Sequence, residues 1–212
     1  MRDGIKLLYN RYPHLPLKDR MHMYFRIKTI PWKLILEYFP HGENMIDIGC
    51  GHGAFINLLD MRDRGYKKFT GLDFAVDKIK TAKLSENNHI FFLETDIFDI
   101  KEGAGTYSIL DVLYLIPYSL QDKLIKHIYD ILPFGGFLII KEIDKKPLWK
   151  FFITVIQESI TVKILHLTKG KKFYFRTESE FRKLFAGAGF KTRVEYLHTG
   201  YLYPHILYIC QK

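Results

Sequence analysis

A glycine-rich turn directly after an apolar segment is the feature that most constrains this chain. Residues 45–48 are followed by Gly49, Gly51 and Gly53 and then by helix-forming residues, which predicts a strand, a tight turn and a helix. Glycine is needed where the backbone takes a positive φ or lies against a ligand. Because the turn leads into a helix N-terminus, its N–H groups favour an anionic or polar ligand group. The sequence therefore predicts a site for a nucleotide-like cofactor.

The spacing of the glycines separates the known kinds of nucleotide-binding turn. The Gly-Lys-Ser/Thr ending of a phosphate P-loop is absent, and G-x-G-x-G differs from the G-x-G-x-x-G of dinucleotide-binding proteins. Two later apolar segments, residues 69–73 and 90–96, each end in an acid. Asp73 follows Gly53 by twenty residues, where a carboxylate grips the ribose hydroxyls in Rossmann-like sheets. These segments are therefore predicted to be the second and third strands of a parallel sheet.

In this order, the acids and glycines resemble those of the class I S-adenosylmethionine-dependent methyltransferases. The resemblance begins with Asp47-x-Gly49-x-Gly51-x-Gly53, Asp73 and Asp96. It continues through a predicted fourth strand, residues 107–113, and a turn with a fifth strand, residues 132–140, so that it covers about residues 44–144. The implied fold class is α/β: a Rossmann-like, doubly wound, mostly parallel seven-stranded sheet with an antiparallel last strand and a helical cover.

The resemblance implies S-adenosyl-L-methionine as cofactor and S-adenosyl-L-homocysteine as product. It places the three glycines beside the methionine part, Asp73 on the ribose hydroxyls and Asp96 at the adenine amine, with Phe74 and Ile97 flanking the ring. The full set of implied cofactor-binding residues is Asp47, Gly49, Cys50, Gly51, Gly53, Asp73, Phe74, Asp96, Ile97 and Asp111.

Three residues are candidates for acting on the methyl acceptor. Methyl transfer from a sulfonium is an in-line displacement, so the protein aligns the partners and removes a proton when the acceptor is a hydroxyl. Asp111 after the fourth strand, or Glu142 after the fifth, could act as that base or orient the acceptor; Asp111 could equally support the glycine turn. His205 is an acceptor-side candidate, although a lone histidine is more often structural. No residue spacing suggests zinc, so no metal is predicted.

The charge and the cysteine content limit the kinds of partner and the cellular compartment that we expect. The net charge of +9 lies in the flanks: residues 1–43 carry eight Lys/Arg against four Asp/Glu, and residues 145–212 carry thirteen against four. This favours an anionic acceptor, carrier or surface, with ordinary solvated lysines as the alternative. Two cysteines and the lack of an apolar leader or an eighteen-residue apolar run predict a cytoplasmic protein, with contact to a membrane surface left open.

The chain is predicted to form a single methyltransferase domain, residues 1–212. Residues 1–43 are predicted to form an N-terminal arm, which is irregular to residue 20 and carries a short helix at 31–39. The cofactor-binding core, residues 44–144, follows the arm. An inserted helical cover (145–176) and a C-terminal helix with two strands (177–212) follow. Core helices are predicted near 54–62, 75–85 and 118–131.

The cover contains a helical pattern with a narrow polar stripe. On a helical wheel the stripe comprises Lys150, Thr154, Gln157, Glu158 and Thr161, and nearly all other positions of residues 147–167 are apolar. A surface helix needs only about a third of its circumference buried, so apolar surface is left over. A lid over an apolar acceptor, a dimer contact and a membrane-surface helix remain open. The basic and aromatic residues 169–176 could meet a phosphate or carboxylate head group.

These features predict methyl transfer to a small-molecule or lipid-like acceptor at an oxygen, with an apolar acidic or acyl-carrier-bound compound as the favoured type. The alternatives are RNA or protein methylation, a nicotinamide oxidoreductase and a non-catalytic module that keeps the cofactor fold. Nucleic acid is disfavoured because no RNA-binding module is visible. Base or amide nitrogen is disfavoured because Asp111-Val112-Leu113-Tyr114 lacks the Asn/Asp-Pro-Pro-Tyr/Phe signature. Monomer and homodimer both remain open.

Overall fold

The computed structural model describes residues 12, 17–42, 44–101, 103–163 and 172–212; the side chains of Lys18, His22 and residues 158–163 lie outside that description. Seven strands form one sheet. Each buried strand reads as a nearly continuous apolar run, as expected where both faces are covered. The strands are β1 (Asn44–Ile48), β2 (Lys68–Asp73), β3 (Ile90–Glu94), β4 (Thr106–Leu110), β5 (Phe137–Ile143), β6 (Lys191–Tyr196) and β7 (His205–Gln211).

The sheet has the order β3-β2-β1-β4-β5-β7-β6, and this confirms the predicted fold class. The first five strands are parallel, whereas β7 runs antiparallel to both β5 and β6. The strand order reverses between β1 and β4, where Met45 pairs with Thr106. In open α/β sheets, ligands bind beyond the carboxyl ends of the strands at such a reversal.

Helices cover both faces of the sheet. Ile139 packs into one apolar layer with the first four helices, and Ile140 packs into the other with the helix after β4 and the last helix. Short 3-10 turns occupy Lys83–Ser85, Ile97–Asp99 and Leu113–Leu115. The α-helices are α1 (Leu17–Thr29), α2 (Trp32–Glu37), α3 (Ala54–Asp60), α4 (Val76–Ala82), α5 (Tyr118–Ile131), α6 (Leu148–Lys163) and α7 (Glu178–Ala188).

The helices α2, α3, α4 and α5 lie where the sequence predicts them, and two other boundaries differ. The prediction of irregular structure up to residue 20 was wrong for residues 17–20, which begin helix α1 (Leu17–Thr29); α1 buries Met23 and Ile27 against the core. The fourth strand ends at Leu110 rather than at residue 113. The reason is that Asp111 adopts a positive φ of 61° and turns the chain into Leu113–Leu115.

Two residues of the polar stripe of α6, Lys150 and Thr154, face the protein. Lys150 Nζ donates to the carbonyl oxygens of His198 (2.9 Å) and Tyr201 (2.6 Å), and Thr154 is buried. Leu148, Trp149, Phe152, Ile153 and Ile156 are exposed on the other side. Among the described helices, none has both the length and the apolar character that crossing a bilayer requires.

The segment after α6 is bound to the loop between β4 and α5. Tyr174 N donates to Tyr114 O (2.7 Å), and Gln121 Nε2 donates to Tyr174 O (3.0 Å). The following helix, α7, begins with a capping box formed by Thr177 and Glu180 and ends at Gly189, as the sequence predicts. Residues 164–171, which include part of the predicted head-group segment, lie outside the described residues.

Candidate cofactor and acceptor site

The glycine turn between β1 and α3 requires glycine for two physical reasons. Gly49, Gly51 and Gly53 have φ values of 73°, 56° and 77°, which disfavour any side chain. A Cβ at Gly49 would also lie 2.4 Å from Val112 Cγ2, and one at Gly53 would lie 2.4 Å from Phe92 Cζ. The turn is therefore packed tightly between the loop after β4 and an aromatic ring of β3.

Gly51 faces a more open space, and Asp73 borders it. A Cβ at Gly51 would meet only Lys78 Cδ, at 4.0 Å. Its N–H donates to Asp73 Oδ2 (2.8 Å), while Asp73 Oδ1 accepts from Ala75 N (2.8 Å). Each carboxylate oxygen keeps a second lone pair. An adenosyl group fits this arrangement, because bare backbone and a half-exposed acceptor for ribose hydroxyls adjoin each other.

Asp47 and Cys50 support the turn from within. Asp47 is buried and accepts from Ser108 Oγ (2.5 Å), and burial raises the pKa of its carboxyl to about 7. The Cys50 thiol packs against Gly71, where a Cβ would lie 2.8 Å from Sγ, and burial raises its pKa as well. Because both side chains point inward, only the backbone of the turn is left on its outer side.

The three residues predicted at the adenine lie together at the ends of β2 and β3. Asp96 Oδ1 accepts from Phe98 N (3.0 Å) and so begins the 3-10 turn that contains the buried Ile97. Phe74 is 65% exposed. An acidic acceptor between one buried and one exposed apolar side chain can receive a flat base. Their contact with adenine stays a prediction.

Tyr12 and α1 cover the glycine turn, which the sequence reasoning missed. Tyr12 Oη donates to His52 O (2.6 Å) and accepts from Asn57 Nδ2 (2.9 Å). Asp19 Oδ1 lies 3.6 Å from His52 Nε2, and burial lowers the pKa of His52 to about 4, so this histidine is neutral near pH 7. Only the buried Met23 and Ile27, four residues apart, could have signalled this helix.

Lys78 is a second residue that the sequence reasoning missed. It lies in the first turns of α4, with its side chain against Gly51 and close to Asp73. Burial lowers the pKa of its amino group, and the carboxylate of Asp73 opposes that shift. A partly buried ammonium beside the turn suits the carboxylate of an amino acid. No sequence spacing identifies it.

Asp111, a predicted candidate base, lies between two cations at the end of β4. Lys141 Nζ is 2.5 Å from Asp111 Oδ1, and Arg26 Nη2 is 3.6 Å from Oδ2. Burial alone would raise the pKa of Asp111, but Lys141 and Arg26 lower it below its ordinary value. The carboxylate therefore stays ionised, and one positive charge remains in excess at this edge.

Glu142, another candidate base, holds the loop after β4. Its Oε1 accepts from Leu113 N (2.9 Å) and Val112 N (3.2 Å), and its side chain is buried. Burial, with the nearby charge of Asp111, raises its pKa to about 8. This geometry makes Glu142 a positioning residue for the loop that carries Asp111, while its predicted catalytic role stays a prediction.

His205, the third candidate, joins β7 to the end of α1. Its Nε2 lies 2.9 Å from Thr29 O, and because a carbonyl oxygen only accepts, Nε2 carries the hydrogen. Burial and then the charge of Lys141 lower the His205 pKa to about 3. Its Nδ1 has no hydrogen-bond partner among the described residues. The ring is thus neutral and close to Asp111 and Lys141.

Four aromatic rings form a wall beside this edge. The aromatic wall comprises Tyr114, Phe151, Phe173 and Phe175: the Tyr114 ring stacks on Phe175 with centroids 5.0 Å apart, and Phe151 meets Phe175 at 5.2 Å. Arg176, predicted to meet an anionic head group, instead binds Gln121 Oε1 (2.7 Å) and Asp122 Oδ1 (2.6 Å). Arg176 therefore fixes the wall to α5.

A separate cavity of about 500 Å³ lies under the end of α1. It is bounded by α2, α3 and the β6–β7 connection, and it includes none of the predicted site residues. Within the described ranges, no group of three or more His, Cys, Asp or Glu side chains could hold a metal ion. The site is therefore assigned from the glycine turn and the strand ends, which the structure does bring together.

Comparison with known proteins identifies the family. A family model described as a methyltransferase domain matches residues 24–194. No curated protein sequence matches the chain.

Solved structures of methyltransferases share the fold. A chain of the Haloferax volcanii complex between the Trm112 methyltransferase activator and a putative methyltransferase is 15% identical, with a TM-score of 0.67 over 84% of this chain and 87% of that one. Human N-acetylserotonin methyltransferase, solved with SAM, is 22% identical (TM-score 0.69; 97% of this chain but only 57% of that one). Magnesium protoporphyrin IX methyltransferase from Synechocystis PCC 6803, solved with SAH, is 21% identical (TM-score 0.60; 100% and 94%). The chain therefore belongs to the class I methyltransferases, the family that uses S-adenosylmethionine as methyl donor.

Proposed function

We propose that this protein methylates the carboxylate of an apolar small-molecule or lipid-like acid, giving a methyl ester. The observation that carries the proposal is the excess of positive charge beside the aromatic wall. Lys141, at 2.5 Å, already neutralises Asp111, so the guanidinium of Arg26 at 3.6 Å has donors to spare. Its side chain is 37% exposed, whereas that of Lys141 is 2% exposed. Arg26 is thus the cation that an incoming anion can reach.

The cofactor would lie along the glycine turn. Gly51 and Lys78 would hold its methionine part, Asp73 the ribose hydroxyls and Asp96 the adenine amine. When bound, S-adenosylmethionine supplies an electrophilic methyl group on a sulfonium: the acceptor oxygen bonds to that carbon while the carbon–sulfur bond breaks and its electron pair returns to sulfur. The protein aligns the two partners and stabilises the reacting charges.

The titratable groups at the carboxyl ends of β4 and β5, called the acceptor edge below, favour a methyl acceptor that is already ionised. Asp111 is ion-paired and has a lowered pKa, so it is a weak base. Glu142 is buried, is engaged by two backbone N–H groups and has a pKa raised to about 8, so near pH 7 it keeps its own proton and cannot accept another. His205 has a pKa of about 3. Efficient proton abstraction from a hydroxyl needs a base with a pKa near the working pH. A carboxylic acid ionises at about pH 4 and needs none.

The rest of the acceptor would be apolar. The aromatic wall offers ring faces beside the loop after β4, and aromatic side chains bury large apolar areas in binding sites. The basic flank at residues 145–212, with thirteen Lys/Arg against four Asp/Glu, is compatible with an acid that is carried on an acidic acyl carrier protein.

The test is a transfer assay with methyl-labelled S-adenosylmethionine. The acceptors are fatty and aromatic carboxylic acids, the matching alcohols and amides, acyl-carrier-bound acids, and tRNA and rRNA. The expected product is a methyl ester, which releases labelled methanol in mild alkali. An alkali-stable methyl ether would show hydroxyl transfer, and labelled RNA with a steep salt dependence would show a nucleic-acid acceptor. Either product overturns the proposal.

Two variants test the roles of the residues. Arg26→Gln removes the accessible cation, so the KM for the acid rises about 10- to 100-fold, as expected when a charge-assisted hydrogen bond is lost. Arg20→Gln, on an exposed part of the same helix, leaves the KM unchanged. His205→Gln can still donate to Thr29 O but cannot act as a base, so kcat falls less than threefold. A loss of about 100-fold or more would identify His205 as the base.

A further inference from the structure

The outward face of α6 exposes large apolar side chains. This α6 apolar face consists of Leu148, Trp149, Phe152, Ile153 and Ile156, of which Trp149 is 58% exposed and Phe152 is 61% exposed. The spacing places all five on one side of the helix. A surface helix normally turns its polar side to water and its apolar side to the protein, and α6 has the reverse arrangement. A contiguous apolar face of this kind marks an interaction surface.

The polar side of the helix fixes this orientation. Lys150 Nζ donates to His198 O and Tyr201 O, and Thr154 Oγ1 donates to Lys150 O (2.9 Å) inside the protein. Rolling the helix to bury its apolar face would leave two carbonyl oxygens and an ammonium unpaired. Since leaving buried polar groups unpaired is unfavourable, the face stays outward until a partner covers it.

The charge around the helix indicates the partner. In the sequence, residues 145–176 carry eight Lys/Arg and a single Glu, and two of these cations, Lys150 and Arg176, bind groups of the protein itself. Lys145 and Lys146 directly precede the helix, and Lys146 is exposed. The five side chains of the α6 apolar face include no charge. Apolar residues flanked by cations form the pattern of a helix that lies in the interface of an anionic bilayer.

We propose that the α6 apolar face docks the protein on an anionic membrane surface. Trp149 and Phe152 would enter the boundary between head groups and acyl chains, and Lys145 and Lys146 would meet the lipid phosphates. A second copy of the chain fits the face poorly, because a twofold contact through α6 would bring two basic segments of like charge together. The docking is independent of the proposed acceptor and needs no catalytic step.

The docked helix would place the acceptor edge at the lipid surface. Phe151, next to the α6 apolar face, contacts Phe175 of the aromatic wall at 5.2 Å. The same helix therefore borders membrane on one side and the wall on the other. An acid dissolved in the bilayer could reach the site without crossing bulk water.

The test is flotation of the full chain with vesicles of phosphatidylglycerol and phosphatidylcholine (1:1), and with vesicles of phosphatidylcholine alone. We expect binding to the anionic vesicles that weakens as salt is raised, and at least tenfold weaker binding to the neutral ones. Trp149→Ala/Phe152→Ala lowers the partition coefficient at least about tenfold, because two large apolar groups no longer enter the lipid. Lys145→Gln/Lys146→Gln lowers it about fivefold for each charge removed.

Phe134→Ala is the matched control. Phe134 is 94% exposed, but it precedes β5, whereas α6 follows β5, so the two lie at opposite ends of that strand. This variant should bind vesicles like the unaltered protein. Circular dichroism and calorimetric binding of S-adenosylhomocysteine verify that each variant is folded.

Two results would overturn the proposal. One is equal vesicle binding by the unaltered protein and Trp149→Ala/Phe152→Ala. The other is a dimer in sedimentation that this double variant converts to a monomer, which would show that a second copy covers the face.

Discussion

Lys141 Nζ lies 2.5 Å from Asp111 Oδ1, with both side chains buried, at the point where β4 and β5 end side by side. Arg26 reaches the other oxygen of Asp111 from α1. Asp111 thus connects the sheet to the helix that covers the cofactor turn. Two cations face one carboxylate at the acceptor edge, which leaves one positive charge in excess. The proposed recognition of an acid depends on that excess.

Lys141→Met should destabilise the protein by about 3 kcal/mol, because it leaves the buried Asp111 charge with only its longer contact to Arg26. The double variant Lys141→Met/Asp111→Asn should lose less stability than Lys141→Met alone, because no buried charge is then left unpaired. Asparagine also tolerates the positive φ at position 111. Urea unfolding measures both. Equal or greater loss in the double variant would show that Asp111 is not held by Lys141.

Glu142 should make stability fall as pH rises. Its pKa is raised from an ordinary value of 4.5 to about 8 in the folded protein. Above pH 4.5 the unfolded chain loses this proton while the folded protein keeps it. The stabilisation is therefore complete below pH 4.5 and is lost as pH rises through 8. The slope of the free energy of unfolding against pH is therefore negative in this range. Glu142→Gln, which can still accept from Leu113 N, should reduce the size of that slope by up to about 1.4 kcal/mol per pH unit.

Unfolding midpoints in urea at pH 5, 6, 7 and 8 measure that slope. Asp47, whose pKa is raised to about 7, contributes in the same direction and remains in the variant. The slope should consequently shrink without vanishing. An unchanged slope would place the Glu142 pKa near its ordinary value.

Asp73→Asn should weaken S-adenosylhomocysteine binding about 10- to 100-fold, the loss expected for hydrogen bonds to a charged group. The amide oxygen can still accept from Gly51 N or Ala75 N, so the turn should persist. Asp77→Asn, at an exposed position of α4, is the control. Calorimetry gives the affinities. Unchanged affinity in Asp73→Asn would remove Asp73 from the cofactor site.

Alanine at two glycines of the turn should have different effects. Gly49→Ala should destabilise the fold by about 1–3 kcal/mol, because its Cβ would overlap Val112 and φ is positive. Gly51→Ala meets only Lys78 Cδ at 4.0 Å, so it should cost about 1 kcal/mol of stability and yet abolish S-adenosylhomocysteine binding.

Thermal unfolding and calorimetry on the same samples separate the two effects. If Gly51→Ala bound S-adenosylhomocysteine normally, the open side of the turn would not face the cofactor.

The sheet, and the edge at which the predicted cofactor residues meet, could be predicted from sequence because their signals are local. Each parallel strand is a short apolar run, and Asp73 and Asp96 follow such runs directly. Parallel strands then bring their ends to one edge, whatever the loops between them do. The glycines at alternate positions identify the turn for the same reason.

The packing of α1 over the glycine turn and the orientation of α6 could not be predicted, because tertiary contacts determine them. The helix α1 is rich in charge, and the positions of its buried Met23 and Ile27 give a weak pattern. The polar stripe of α6 was visible in the sequence. That Lys150 would turn inward depends on the carbonyl oxygens of His198 and Tyr201, about fifty residues later.

The position of β7 between β5 and β6 has a consequence during synthesis on the ribosome. Of these seven strands β7 emerges after the other six, and it joins β6 to the sheet, so β5 presents unpaired backbone groups until then. Exposed strand edges invite pairing with other chains. His205, the first residue of β7, also supplies the bond to Thr29. A nascent chain can thus form its first five strands early, whereas β6 joins the sheet only after β7 has emerged.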